Sequence, residues 1–117
     1  MKETTTLWRP VGAKELILIQ ESRKFPPRLP GQPIFYPVLS FEYAEKIARD
    51  WNTKDTASDF VGYVTEFEVE TDYLSKFEVQ EVGGRFASEY WIPAEELEEF
   101  NSHIVGDIKV VAEYRAS

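Results

Sequence analysis

The sequence predicts a single α+β domain spanning residues 1–117. Three observations carry this reading. Strand-like runs rich in β-branched and aromatic residues recur as TTTLWRP, FVGYVTEFEVE and IKVVAEY. Helical patterns fall between such runs at irregular intervals, where a wound parallel sheet would alternate them strictly. Late in the chain, Gly83-Gly84 separates KFEVQEV from RFASEYWIP, which is the setting of a tight antiparallel hairpin. The expected architecture is a mostly antiparallel split sheet with about three helices.

Taken in order, TTTLWRP is a short first strand stopped by Pro10. GAKELILIQES follows as a helix, because Lys14-Glu15 and Gln20-Glu21 bracket the apolar run Leu16 to Ile19. KFPPRLPGQP, with four prolines in ten residues, can be neither helix nor central strand and is an ordered loop. PIFYPVL is a second strand. Ser40 caps SFEYAEKIARDW, where Phe41, Ala44, Ile47, Ala48 and Trp51 recur at helical spacing. On its outer face Glu42 with Lys46, and Glu45 with Arg49, stand at the spacing of favourable ion pairs. DWNTKDTASDF is a polar loop.

FVGYVTEFEVE alternates, with Val61, Tyr63, Phe67 and Val69 on one face and glutamates mostly on the other, as in a strand with one wet side. Pro93 opens AEELEEF as a helix with Leu97 and Phe100 inward and its acids crowded at the start. IKVVAEY is a closing strand.

Composition narrows the function classes. The net charge of −8 is uneven: residues 1–54 carry a balance of +3 and residues 59–99 a balance of −10. Such a chain lacks the basic stripe that nucleic acid requires, while its first half suits one small anionic ligand. No stretch approaches the ~20 apolar residues of a membrane span, and MKETTTLWRP lacks a signal peptide's apolar core. A cytoplasmic location is therefore expected. With no cysteine and one histidine, neither a thiolate nucleophile nor a zinc site is expected, and no other metal. The motifs of phosphate-binding loops, zinc peptidases and serine hydrolases are missing. Asp50 to Asp59 lacks the central glycine and closing glutamate of a calcium loop. Ser102-His103 are sequence neighbours without an orienting third group, so an exposed or capping histidine is expected.

Three stretches remain, and their order matters: TLWRPVG at a strand tip, PIFYPVLSFEYAEKIA as strand into helix, and SEYWIP at the end of a late strand. Together, over residues 5–93, they resemble the ADP-ribosyltransferase fold, including the poly-ADP-ribose polymerase type. The resemblance implies an ADP-ribosyltransferase-like domain with NAD or an ADP-ribosyl group as its nucleotide ligand. It implies that Arg9 orients ribose or phosphates, Tyr36 and Tyr43 supply the ring that stacks on nicotinamide, and Glu89 is the catalytic carboxylate. Such an acid stabilises the oxocarbenium-like charge as nicotinamide leaves. Alternation in RFASEYWIP puts Glu89 opposite Tyr90 and Ile92, so that if those two are core, Glu89 points outward or into a groove.

LWRPVG and EYWIPAEELEEF are also similar to segments of small bacterial proteins labelled "ADP-ribosylation/J-crystallin". That label points to ADP-ribosylglycohydrolases, whose aspartate-rich magnesium sites have no counterpart here, so that activity is not implied.

Two departures from the transferase pattern bear on mechanism. Pro10 stands where a glycine would grip the nicotinamide amide, and proline has no N–H to donate. The serine-threonine-serine motif of the arginine-type enzymes is reduced to Ser40. The alternative is a non-catalytic module of the same fold that binds a ligand in the groove, or a protein partner there or through the acidic surface. Plainer readings exist for each residue: Arg9 paired with one of the surplus acids, Tyr36 and Tyr43 as amphipathic core, Glu89 as a solvated strand position, and PPRLP as a loop packed on the aromatic core.

Overall fold

The computed structural model describes residues 3–82 and 87–116. Its elements are β1 (Thr4–Val11), α1 (Ala13–Ser22), β2 (Ile34–Phe35), α2 (Phe41–Asp50), β3 (Val61–Glu70), α3 (Thr71–Leu74), β4 (Val79–Glu81), β5 (Ser88–Tyr90), β6 (Ile92–Pro93), α4 (Leu97–Ser102) and β7 (Ile104–Arg115). The α+β class expected from the sequence is the class observed, and every strand pairing is antiparallel among the described residues. β3 is central, with β1 on one side and β7 on the other as an outer edge. Beyond β1 the sheet continues through one residue: Val38 bridges to Trp8 and to Glu89, which joins β1 to the β5–β4 hairpin. Gly83-Gly84, where the sequence predicts a tight turn, lies outside the described residues.

β1 does not stop at Pro10; it runs through to Val11, with Pro10 opposite Val64. The register explains why this is tolerated. Trp8 exchanges both its backbone bonds with Val38, so the amides of residues 8 and 10 point away from β3. The missing N–H of Pro10 therefore costs the β1–β3 ladder nothing. Pro37 has the opposite effect on PIFYPVL, which splits into β2, paired with β6, and the separate bridge at Val38.

Two cores sit on the two faces of the sheet. On the front, Leu7, Val11, Phe67 and Val69 meet Leu16 and Ile19 of α1, Phe25 from the proline-rich loop, and Leu97 and Phe100 of α4. Phe25, Phe35, Phe67 and Phe100 pack edge-on or tilted at centroid distances of 4.8 to 6.2 Å, the favoured geometry for aromatic rings. On the back, α2 lays Ala44 and Ala48 on Val38 and Val64. Hence the wet side expected of β3 is covered along part of its length, with Val64 fully buried beneath α2.

α2 starts where the sequence places it, since the Ser40 hydroxyl accepts the Tyr43 N–H at 3.1 Å. Neither expected ion pair on its outer face forms among the described residues: Arg49 bonds Asp50 at 3.1 Å, and Glu45 takes the Tyr114 hydroxyl. Trp51 stands outside the helix pattern and is 72% exposed. The polar loop after it holds two short 3-10 turns, Asn52–Lys54 and Thr56–Ser58. Leu97 and Phe100 face inward as expected, although Ala94–Glu96 enters α4 as a 3-10 turn.

The approach of α2 to β3 is possible only at a residue without a side chain. A Cβ at Gly62 would stand 2.3 Å from the Ala48 carbonyl oxygen, a backbone atom that cannot swing aside. Gly62→Ala is expected to lower unfolding free energy by on the order of 1–3 kcal/mol, as overpacking does, with the denaturant slope unchanged. Urea unfolding followed by circular dichroism measures both.

Candidate functional site

Strand parity places the opening arginine. Arg9 lies between Leu7 and Val11 on the front face of β1, opposite Thr65, whose hydroxyl donates to the Arg9 carbonyl at 2.8 Å. Its guanidinium forks onto Glu15 of α1, with Nε to Oε2 at 2.7 Å and Nη2 to Oε1 at 3.0 Å. The same guanidinium lies 4.6 Å over the Phe35 ring. This is the ion pair that pattern alone favoured, and two-pronged geometry in a nearly buried setting makes it a strong one.

Glu89 comes from the far side of the Val38 bridge. Only 8% of it is exposed, so it is not a solvated strand position. Oε1 accepts the indole N–H of Trp91 at 2.7 Å, and Oε2 faces the Tyr43 hydroxyl at 3.4 Å. Burial, then the Glu89 charge and this contact, push the Tyr43 phenol above its ordinary value. Tyr36, between the two halves of the broken strand, sets its ring edge-on to Trp91 at 6.5 Å and 89°.

Arg9, Tyr36 and Glu89 line one hollow of about 520 Å³, together with Arg28, Val38 and Trp91. That volume falls within the range of small-molecule sites. Tyr43 is not on the wall; it stands behind Glu89 and holds its carboxylate. Tyr90 and Ile92 turn to the front core as alternation predicts, which leaves Glu89 facing the groove.

Three further wall residues able to contact a ligand through polar or aromatic groups, Trp91, Asn52 and Arg28, carry no site signal in the sequence pattern. Strand alternation could have found Trp91, which lies two residues after Glu89 and shares its side of the strand. Asn52 and Arg28 sit in irregular segments where no periodicity applies. Arg28 makes no hydrogen bond or ion pair among the described residues, and its Nε is buried without a partner. Its guanidinium is pulled below the ordinary arginine value, first by burial and then by the Arg9 charge, with Glu15 and Tyr36 opposing. Asn52 Oδ1 is also buried and unpartnered, although its Nδ2 donates to Ser58 Oγ at 3.0 Å. Arg9, Pro10, Arg28 and Asn52 also form one wall of an adjoining hollow of about 470 Å³ beneath Pro26, Pro27 and Leu29.

The resulting cleft sets a fixed carboxylate and two aromatic rings in one hollow, with guanidinium groups where that hollow meets its neighbour. A carboxylate so held can accept a sugar hydroxyl or stabilise developing positive charge, and a guanidinium can hold an anion. Elsewhere, His103 is half-buried rather than exposed, stacked on Tyr73 at 4.1 Å and 2.7 Å from Glu70 through Nδ1, while Ser102 donates to the Glu99 carbonyl. Among the described residues no three His, Asp or Glu side chains gather as a metal site, and no helix is long and apolar enough to cross a membrane. Comparison with protein-family models, curated proteins and solved structures returned no match.

The Tyr43–Glu89 contact has a titration signature. The raised phenol value means that any stabilisation linked to Tyr43 is complete below the unfolded value of 10.0 and is lost as pH rises through the folded value. In Glu89→Gln the charge contribution disappears and burial remains, so the Tyr43 midpoint is expected to fall toward 10.0 without reaching it. Alkaline titration of ring-labelled tyrosine by NMR, with Tyr43→Phe to assign the signal, reads the shift.

Proposed function

We propose that the chain is an ADP-ribosyltransferase-like domain that binds NAD or an ADP-ribosyl group in the cleft of Arg9, Tyr36 and Glu89. The observation carrying this reading is their convergence: residues from β1, the segment after β2 and β5 line one hollow although 80 positions separate the outer two. The Tyr36 and Trp91 rings offer an apolar face to a flat heteroaromatic group. Glu89, oriented by Trp91 and Tyr43, meets the ribose beside it. In transfer, the bond from ribose C1′ to nicotinamide breaks with its electron pair leaving on nicotinamide. The Glu89 carboxylate stabilises the cationic sugar until an acceptor nucleophile bonds C1′ and gives up its proton. No metal takes part in this scheme.

A second reading, a non-catalytic ligand- or protein-binding module, is favoured by one specific feature. Pro10 lines the same hollow and has no N–H with which to hold the nicotinamide amide. Nicotinamide would then lack a grip that the reaction uses.

Calorimetric titration with NAD and ADP-ribose, followed by assay of nicotinamide release, separates the two. For the enzyme, both ligands bind, nicotinamide is released, and Glu89→Gln lowers release by at least ~100-fold, as expected when one preorganised electrostatic group is lost. Binding without release supports the module. Absence of heat with either ligand sinks the nucleotide reading.

A further inference from the structure

The two arginines of the cleft differ in one respect that bears on what they can bind. Arg9 has spent its fork on Glu15 and its face on Phe35, so the pair presents little net charge. Arg28 has no counterion in hydrogen-bonding contact among the described residues, and it is half-buried beside a second guanidinium. A partly desolvated cation in that position is unfavourable by itself and is relieved by an anion.

The segment that carries Arg28 is fixed in place. Phe25 is buried in the front core, and its backbone is clamped by Asn101, whose Oδ1 accepts the Phe25 N–H at 3.0 Å while Nδ2 donates to the Phe25 carbonyl at 2.9 Å. Pro26, Pro27 and Pro30 then limit the backbone on either side of Arg28. An arginine presented on so restricted a loop loses little freedom when it binds. Its position matters equally: Arg28 belongs to the wall of the Tyr36–Trp91–Glu89 hollow and to that of the adjoining hollow under Pro27 and Leu29. An anion held there has room for an organic group on each side.

We infer that Arg28, rather than Arg9, receives the charged group of the ligand, that this group is a phosphate or diphosphate lying between the two hollows, and that Arg9 stays paired with Glu15. The inference rests on the reading that this cleft takes a ligand, and it names the part of the ligand that Arg28 serves. The ligand class is an organic diphosphate substituted at both ends.

The test uses isothermal titration of the whole chain with inorganic pyrophosphate, ADP-ribose and nicotinamide riboside, the last having no phosphate. Variants are Arg28→Gln, Arg28→Lys and Glu15→Gln, each checked by thermal unfolding. Arg28→Gln is expected to weaken pyrophosphate and ADP-ribose by about 10- to 100-fold, the range for loss of charged hydrogen bonds, and to leave any nicotinamide riboside affinity unchanged. Arg28→Lys restores part of the loss, since it keeps the charge and not the fork. The unfolding midpoint of Arg28→Gln stays level or rises, because no hydrogen bond or ion pair among the described residues is removed and a partly buried unpaired charge is lost. Glu15→Gln, which frees Arg9, is expected to tighten pyrophosphate.

Pyrophosphate bound equally by wild type and Arg28→Gln overturns the inference, as does a wild type that binds neither phosphate ligand. Loss of binding with a sharply lowered unfolding midpoint assigns Arg28 to the fold and overturns it too. Pyrophosphate binding that depends on Arg28, with no response to NAD or ADP-ribose, upholds the anion site while removing the nucleotide reading. ADP-ribose binding indifferent to Arg28 does the reverse.

Discussion

The cleft depends on the backbone of a single residue. Val38 exchanges two hydrogen bonds with Trp8, at 3.0 and 2.8 Å, and its neighbours Pro37 and Leu39 bond Tyr90 and Ser88 at 2.9 and 3.1 Å. Among the described residues that ladder fragment links β1 to β5, and so brings Arg9 and Glu89 to the same hollow from distant parts of the sequence. Its shortness follows from Pro37, which has no N–H and stands two residues after the pairing of β2 ends at Phe35. The break leaves Tyr36 unpaired between two sheet segments and turns its ring toward the opening. A continuous strand would have closed the gap that the cleft occupies.

Charge is distributed around that gap unequally. Arg9 is balanced by Glu15, and Glu89 has its two oxygens served by Trp91 and Tyr43. Both are held in orientation before any ligand arrives, which is the condition for electrostatic stabilisation without reorganisation. Among the described charged groups of the wall, Arg28 is the one left with an unmet demand, its Nε buried without a partner as is the neutral Asn52 Oδ1, and it sits in the half of the chain whose balance is positive. Of the acidic excess of residues 59–99, Glu89 is buried on this wall, while Asp59, Glu68, Glu78, Glu81, Glu95, Glu98 and Glu99 are exposed.

What could be seen in the sequence followed periodicity. Ser40 and the apolar spacing after it located α2, the pair Leu97 and Phe100 located the inner face of α4, and alternation about Ile92 put Glu89 on the face away from the core, outward or into a groove, of which the structure shows the groove. Tertiary register decided the remainder. Pro10 ends a strand only if its amide faces a partner, and that depends on Val38, nearly thirty residues away in the chain. Glu45 abandons its helical neighbour because Tyr114 of β7 reaches it. Arg28 belongs to a segment without period, so its burial follows from where Phe25 is anchored and not from any local pattern. Tyr43 keeps its expected place on α2, yet the helix turns it behind Glu89 rather than onto the wall.

The outer edge has a consequence of its own. β7 is twelve residues long and faces solvent on its unpaired side, with Val105, Val110 and Val111 exposed. A flat apolar margin of that length would template the addition of a foreign strand. Here the ladder to β3 shifts register twice, and Asp107, Lys109, Glu113 and Arg115 alternate in sign along it. A kinked rail studded with opposite charges gives an incoming segment no straight run of amides to copy. Register shifts and alternating charge thus make the longest strand a poor template for edge-to-edge addition.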